Sequence, residues 1–255
     1  MNEQFCTSLL FQMMRYFTTL FFSSLLFICV DSRAQMQKFS GWFQAQQDIQ
    51  LNRKLSFQIE NQFRTDNHWK NAEVLETRIG LTYDATPSIS FASGYSFIEN
   101  WTTYKGIHDH VAEHRIWTQM SKDYGGPLSI FRQRVRLEER ILPILAIQNA
   151  KFIRTGNDLS TRVRYQIRWT RNFPKTPGTE LGFYTVLNNE IFINATGASH
   201  INNKALDQIR AFAGFGYRFR ENLNIEPGYL FQYVIGKNTS YTENNVFQLS
   251  LNMGL

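Results

Sequence analysis

Arginines alternate with apolar residues through much of this sequence. In the segment from Leu159 to Trp169, the polar residues are Ser160, Arg162, Arg164, Gln166 and Arg168. A β-strand turns successive side chains to opposite faces, so this segment has one apolar face and one charged face. Arginine binds carboxylates through two parallel hydrogen bonds, and such pairs would cross-link neighbouring strands. The pattern therefore predicts ion-pair chemistry along one face of a sheet.

The same charged face recurs in most of the predicted strands. Its predicted network consists of Glu60, Arg78, Glu113, Arg115, Arg132, Arg134, Arg136, Glu138, Arg162, Arg164, Arg168, Glu190, Arg210 and Arg218. Arg64, Arg140, Asp48, Glu76 and Glu226 lie on the same face, which brings the set to twelve arginines and seven acids. Two interpretations stay open. The charges stiffen a small barrel, or they line a narrow lumen that prefers anions.

Eleven candidate strands and their connections position these charges. Short turns are predicted near 51–54, 84–88, 124–127, 174–179 and 220–222. Longer polar loops are predicted near 65–73, 101–111, 141–157, 195–205 and 237–244. One end with short turns and one with long loops is typical of an outer-membrane barrel, and such barrels normally have an even number of strands. We therefore expect about 10–12 strands.

The segment 141–157 leaves further alternatives open. Ile144 to Ile153 is long enough to hold a twelfth strand. The apolar stretch from Ile141 to Ile147 is predicted to lie in an external loop. There it would rest on the membrane surface, fold into the lumen as a partial plug, or extend a strand above the membrane.

The predicted fold is an all-β, one-domain transmembrane antiparallel up-and-down β-barrel. Twenty-two Phe, 11 Tyr and 5 Trp accompany the alternating strands, and aromatic residues recur near strand ends, as they do in membrane-interface girdles. Lipid offers no hydrogen bonds to the backbone, so a sheet that spans it must close. The alternative is an exported soluble β-sandwich or binding barrel.

The N-terminus is predicted to be an export signal. Arg15 precedes an apolar stretch from Phe17 to Val30, and a small-residue cleavage pattern ends at Ala34. The prediction is a signal peptide over 1–34 and a barrel over 35–255, with Met13 or Met14 as a possible true start. Cys6 and Cys29 both precede the cleavage site, so the mature chain would have no thiol. A membrane anchor and a lipoprotein signal are the alternatives.

Histidines are the residues through which enzymatic or metal chemistry would arise. His114 lies in a strand on the lipid-facing parity, where an outer-membrane lipid hydrolase would need its base, but no serine nucleophile motif accompanies it. His68, His108, His110 and His200 fall in predicted long loops and would bind zinc or copper only if they converged, with Asp109 beside two of them. We predict no enzyme activity, no metal and no cofactor.

Two further sequence features bear on the interior and on partners. Gly214 and Gly216 are expected to form a small-residue patch on the lumen face, where a bulky side chain from across the lumen approaches. The net charge is +6, but the basic residues alternate with apolar ones instead of clustering, so no nucleic-acid partner is predicted.

Several segments together resemble a known bacterial family. They are Glu113-His114-Arg115-Ile116-Trp117, Arg134-Val135-Arg136-Leu137-Glu138-Glu139-Arg140, Arg162-Val163-Arg164-Tyr165, Asn189-Glu190-Ile191-Phe192, Gln208-Ile209-Arg210 leading to Gly214-Phe215-Gly216-Tyr217-Arg218, and Gly228-Tyr229. The sequence from Gly41 to Leu255 resembles the outer-membrane β-barrel family catalogued as domain of unknown function 2490, although Leu255 replaces the terminal aromatic residue frequent in barrels. The resemblance implies an outer-membrane barrel and no established activity. The expected partners are outer-membrane lipid, lipopolysaccharide and the barrel-assembly machinery, with export through the secretory pathway.

Overall fold

The structure is a computed structural model, and it describes residues 36–66, 68–104, 106–126, 128–174 and 181–255. The predicted signal peptide and its cleavage site after Ala34 lie outside the described residues. A compact unit spans Gln35–Leu255.

Within the described ranges, eleven strands follow one another. They are β1 Met36–Gln50, β2 Leu55–Asp66, β3 Asn71–Thr86, β4 Ile89–Tyr104, β5 Ile107–Gly126, β6 Ser129–Gln148, β7 Lys151–Pro174, β8 Gly182–Asn194, β9 Leu206–Arg220, β10 Leu223–Ile235 and β11 Tyr241–Gly254. A 3-10 helix, Ala198–His200, lies between β8 and β9. Among the described residues, no helix is long and apolar enough to cross a membrane.

The strands form a closed barrel in which each one pairs with its neighbours in the sequence. Consecutive strands are antiparallel, whereas β1 and β11 pair in parallel from Met36↔Thr242 to Asp48↔Gly254. An odd number of alternating strands leaves the first and last pointing the same way, so the barrel can close only through one parallel pair. The even number expected from other barrels is therefore wrong, and the eleven strands read from the sequence are confirmed.

The outer face of the barrel is apolar. Ile116, Val135, Leu159 and Phe215 are 55%, 48%, 67% and 58% exposed although their strands are fully paired. The opposite parity faces the interior and is mainly polar, with Glu76, Arg136 and Glu138 buried. A closed sheet with an apolar exterior and a charged interior is the architecture of a transmembrane β-barrel, so the predicted fold class is confirmed.

The β6–β7 hairpin is longer than the sequence predicts. Its strands stay paired from Ser129↔Arg171 to Gln148↔Lys151, with a register shift at Ile144/Leu145. The predicted loop over 141–157 is therefore wrong. The stretch from Ile141 to Ile147 extends β6, so it is neither a plug nor a surface loop, and Ile144 to Ile153 does not hold a separate strand. Continued pairing satisfies the backbone groups that a loop would leave free.

The other predicted long loops differ in outcome. The connection near 65–73 is short, because β2 and β3 remain paired to Asp66↔Asn71, and the one near 101–111 is short, because β4 and β5 remain paired to Tyr104↔Ile107. The predicted loops near 195–205 and 237–244 correspond to real connections between strands, although β11 already begins at Tyr241.

Candidate functional site in the barrel interior

The barrel encloses a cavity of about 670 Å³. Twelve arginines and six carboxylate residues line it. The arginines are Arg64, Arg78, Arg115, Arg132, Arg134, Arg136, Arg140, Arg162, Arg164, Arg168, Arg210 and Arg218. Strand alternation explains this arrangement, because the arginines lie on β2, β3, β5, β6, β7 and β9, where every second residue points inward.

Glu138 on β6 lies at the centre of the densest ion-pair group. Its Oε2 accepts hydrogen bonds from Arg162 Nη2 at 2.6 Å and Nε at 3.0 Å, and its Oε1 accepts from Arg164 Nη1 at 2.6 Å. Arg164 also donates to both carboxylate oxygens of Glu190, at 2.8 and 2.9 Å, and Arg134 Nη2 donates to Glu190 Oε1 at 2.8 Å. The register places Glu138 opposite Arg162 and Arg136 opposite Arg164. These contacts tie β6, β7 and β8 together.

A second group joins β2, β3 and β4. Arg78 Nη1 donates to Glu60 Oε2 at 2.7 Å, its Nη2 pairs with Glu76, and its Nε donates to the hydroxyl of Ser96 at 3.2 Å. Arg64 Nη2 donates to the other oxygen of Glu76 at 3.0 Å. Arg78 thus has a charged or polar partner on its own strand and on each neighbouring strand.

Arg115, Arg140 and Arg168 form further ion pairs inside the barrel. Arg115 and Arg140 both donate to Glu113, at 2.6 and 2.7 Å. Arg168 forms two hydrogen bonds with Glu226 on β10, one of them at 3.2 Å.

Arg132 differs from the rest of the network. Its guanidinium binds both oxygens of Asp123 at 2.6 Å, and its side chain is 52% exposed. It therefore lies at the rim of the barrel.

Aromatic rings support several of these guanidinium groups. Arg136 lies 4.7 Å from the ring centre of Trp117, and Arg210 lies 4.9 Å from that of Trp42 and 4.6 Å from that of Phe192. Arg218 lies 5.3 Å from the ring centre of Tyr184. The ring face is the negative part of an aromatic quadrupole, so these contacts stabilise the three cations.

The structure adds interior residues that the sequence reading missed. Asp207 accepts a hydrogen bond from Arg162 Nη1 at 3.0 Å, and Gln119 accepts two from Arg136, at 2.9 and 2.6 Å. An apolar cluster also faces inward, formed by Trp42, Tyr184, Val186, Phe212, Leu230 and Val246. The interior therefore holds both a network of ion pairs, which reaches from β2 to β10, and a packed apolar cluster on β1 and β8 to β11.

The glycine patch lies on the predicted inner face, but the bulky side chains come from nearby. A Cβ on Gly214 would lie 2.6 Å from Phe212 Cζ on the same strand, and one on Gly216 would collide with Tyr184 on the adjacent β8. The expected approach from across the lumen is therefore wrong.

The four histidines predicted to lie in long loops do not gather in one place, and two of them, His108 and His110, belong to β5 instead of a loop. His200 Nδ1 is 2.7 Å from Asp158, His110 Nδ1 is 3.4 Å from Asp109, and His108 bonds with Thr103. His68 stacks on Phe39. Within the described ranges, no cluster of three or more His, Cys, Asp or Glu side chains is arranged to hold a metal ion.

His114 lies on the outer face, as its parity predicts. Its Nδ1 bonds with the hydroxyl of Tyr95, and its ring also contacts that of Phe97. These neighbours are on β4, where Phe97 pairs with His114 itself and Tyr95 pairs with Ile116. None of these contacts is with a serine.

Fold and interior together define a transmembrane-type β-barrel with a charged interior. The model of the family described as "Protein of unknown function (DUF2490)" matches residues 39–243, and the chain belongs to this family. A comparison with curated proteins gives no match. Among solved structures, the chain is similar to "NanC porin structure in rhombohedral crystal form", with 11% identity and a TM-score of 0.48 over 85% of this chain and 98% of that one.

Proposed function

We propose that the protein is an outer-membrane barrel whose arginine-rich lumen forms a narrow, passive route for small anions. The observation that carries this proposal is the cavity wall, where twelve arginines face six carboxylates. A confined, low-dielectric passage with one predominant sign of charge raises the local concentration of ions of the opposite sign. Anions are therefore the favoured solutes.

The width of the proposed route follows from what fills the interior. The ion pairs around Glu138 and Glu190 and the apolar cluster around Phe212 and Leu230 both take up space inside the barrel. A barrel of this strand number has little space beyond its own side chains. The same contacts also stiffen the barrel, so the two interpretations left open by the sequence are compatible.

The proposed location is the outer membrane, reached through the secretory pathway and the barrel-assembly machinery. The exposed apolar side chains of the outer face support contact with lipid and with lipopolysaccharide acyl chains. They also argue against the exported soluble barrel, because contiguous apolar patches of this extent are rare on monomeric soluble proteins.

Planar bilayer recording on the refolded protein tests the proposal. We expect small single-channel currents with a preference for chloride over potassium, measured as the reversal potential in a salt gradient. Arg134→Glu and Arg164→Glu, tested singly, should shift that potential toward cation preference, because each changes the charge of the cavity wall by two units.

Arg154→Glu is the matched control. Arg154 lies in the β6–β7 extension, is exposed, and bonds with Asn157. It should leave selectivity unchanged. Folded barrels that conduct no ions would reject the pore and leave a structural barrel. Equal selectivity in the wild type and both lumen variants would reject the role of the arginines.

A further inference from the structure

Arg136 is a buried interior arginine whose hydrogen bonding is incomplete. It is 2% exposed and lines the cavity, yet its Nη1 has no hydrogen-bond partner among the described residues. The nearest carboxylate oxygen is Glu138 Oε1, at 3.9 Å, which is too far for a hydrogen bond. An unpaired buried N–H of a charged group is costly, so this atom favours a ligand.

The local carboxylates are already engaged. Glu138 Oε1 accepts from Arg164 and its Oε2 accepts from Arg162. Glu190 is shared between Arg164 and Arg134. Glu138 and Glu190 therefore lie among four guanidinium groups, those of Arg134, Arg136, Arg162 and Arg164. Of these four, Arg136 has no hydrogen bond to either glutamate.

The guanidinium of Arg136 is also held in place. Its Nε and Nη2 donate to Gln119 Oε1 from the neighbouring strand, and its flat face lies over the indole of Trp117. The indole in turn fits against Gly80 and Gly94, where any Cβ would collide with it. The unpaired Nη1 is therefore presented by a group that has little freedom to turn away.

Arg134 supplies a second unpaired donor on the same strand. It lies two residues before Arg136 on β6, so both side chains have the same parity and both line the cavity. Its Nη2 binds Glu190, while its Nε has no partner among the described residues. The two free N–H groups belong to different guanidiniums, and an anion with several oxygens, such as a tetrahedral oxyanion, can accept a hydrogen bond from each.

We propose that Arg134 and Arg136 form a discrete binding site for a small tetrahedral oxyanion of the phosphate type. This inference deepens the proposed function, because it names the position on the cavity wall at which a permeating anion would rest. The bound anion would satisfy the free Nη1 and Nε donors, and it would compensate the positive charge that the shared glutamates leave unbalanced.

Equilibrium binding of radiolabelled inorganic phosphate to the detergent-solubilised, folded full-length barrel tests the site without requiring any current. We expect saturable binding by the wild type and at least about tenfold weaker binding by Arg136→Gln and by Arg134→Gln, since each loses a charge-assisted hydrogen bond. Arg136→Lys keeps the charge and should bind more tightly than Arg136→Gln. Arg154→Gln, outside the cavity, should bind as the wild type does.

Heat-modifiable migration on denaturing gels verifies that each variant is folded, and Arg134→Gln serves the test if Arg136→Gln does not fold. Folded wild-type barrels that bind no phosphate would overturn the site, as would two glutamine variants with unchanged affinity. Binding without ion currents would uphold the site and reject the pore. Currents without phosphate binding would uphold the pore and reject the site.

Discussion

Replacing Glu138 by glutamine should destabilise the barrel more than any other single neutralisation in the network. Glu138 is 1% exposed and receives hydrogen bonds from two guanidinium groups, while Arg136 lies 3.9 Å away. Glutamine has the same shape but no charge. Three buried cations would therefore lose the carboxylate between them.

The remaining contacts of these arginines determine the magnitude. Removing one partner from a buried ion pair typically costs about 3–5 kcal/mol. Arg162 retains Asp207 at 3.0 Å and Arg164 retains Glu190, so neither cation is left alone. We therefore expect the lower end of that range, about 3 kcal/mol of unfolding free energy.

Reversible urea unfolding in lipid vesicles, followed by tryptophan fluorescence, measures this effect. With a denaturant slope of about 2 kcal/mol/M, Glu138→Gln should lower the midpoint by about 1–2 M. Glu139→Gln is the matched control, since Glu139 is the next residue, faces outward and bonds with Thr161 at 3.0 Å. The unfolding free energy of Glu139→Gln should stay within about 0.5 kcal/mol of the wild-type value. Equal midpoints for the two variants would refute the assignment of Glu138 to a buried ion-pair centre.

Two further predictions concern packing and the extended hairpin. Gly94→Ala should cost about 1–3 kcal/mol in the same unfolding assay, because the new Cβ would collide with the backbone oxygen of Ile79 and lie 2.6 Å from Trp117 Cζ2, whereas Gly126→Ala meets no atom within 4 Å and should have little effect. If the two alanine variants unfold together, neither the neighbouring strand nor the indole packs tightly against Gly94. Asp109→Ala removes the acceptor for the backbone N–H of Phe152 at 2.9 Å. The free energy needed to open the hairpin should fall by about 1 kcal/mol, which should speed trypsin cleavage after Lys151 and Arg154 about fivefold. Asp123→Asn, at the opposite end of β5, is the control. Unchanged cleavage in Asp109→Ala would show that this bond does not hold the hairpin.

The sequence predicts the barrel well where its two faces differ in polarity. From Leu159 to Trp169 the exterior is apolar and the interior charged, and β7 has this parity in the structure. The difference in polarity between the two faces of a strand is lost where the inner face is apolar too. Val186, Phe212 and Val246 point inward, so period-two reasoning alone could not reveal the buried apolar cluster.

The sequence left the extension of β6 and β7 as one alternative among three for a related reason. Ile141 to Ile147 consists of six apolar residues and a proline without alternation, and the register shift at Ile144/Leu145 breaks the period in the structure as well. Such a run carries no signal that separates a strand from a loop.

The sequence also does not reveal which arginine pairs with which carboxylate in the charge network. Alternation places Glu138 and Arg162 on inner faces, but which arginines share one carboxylate depends on register and side-chain conformation. Asp207 illustrates this, because it lies beside a register shift at the start of β9 and yet binds Arg162.

Site-directed spin labelling across β7 tests the central claim most directly, namely that the apolar face meets lipid and the charged face lines the interior. Cys6 and Cys29 would be replaced by serine, and single cysteines introduced at Val163, Tyr165 and Ile167 on the outer face and at Ser160, Gln166 and Thr170 on the inner face. In lipid vesicles, the outer labels should collide with dissolved oxygen and the inner ones should not, in strict alternation. Equal accessibility to oxygen along the strand, or alternation of the opposite phase, would contradict a barrel that turns its arginines inward.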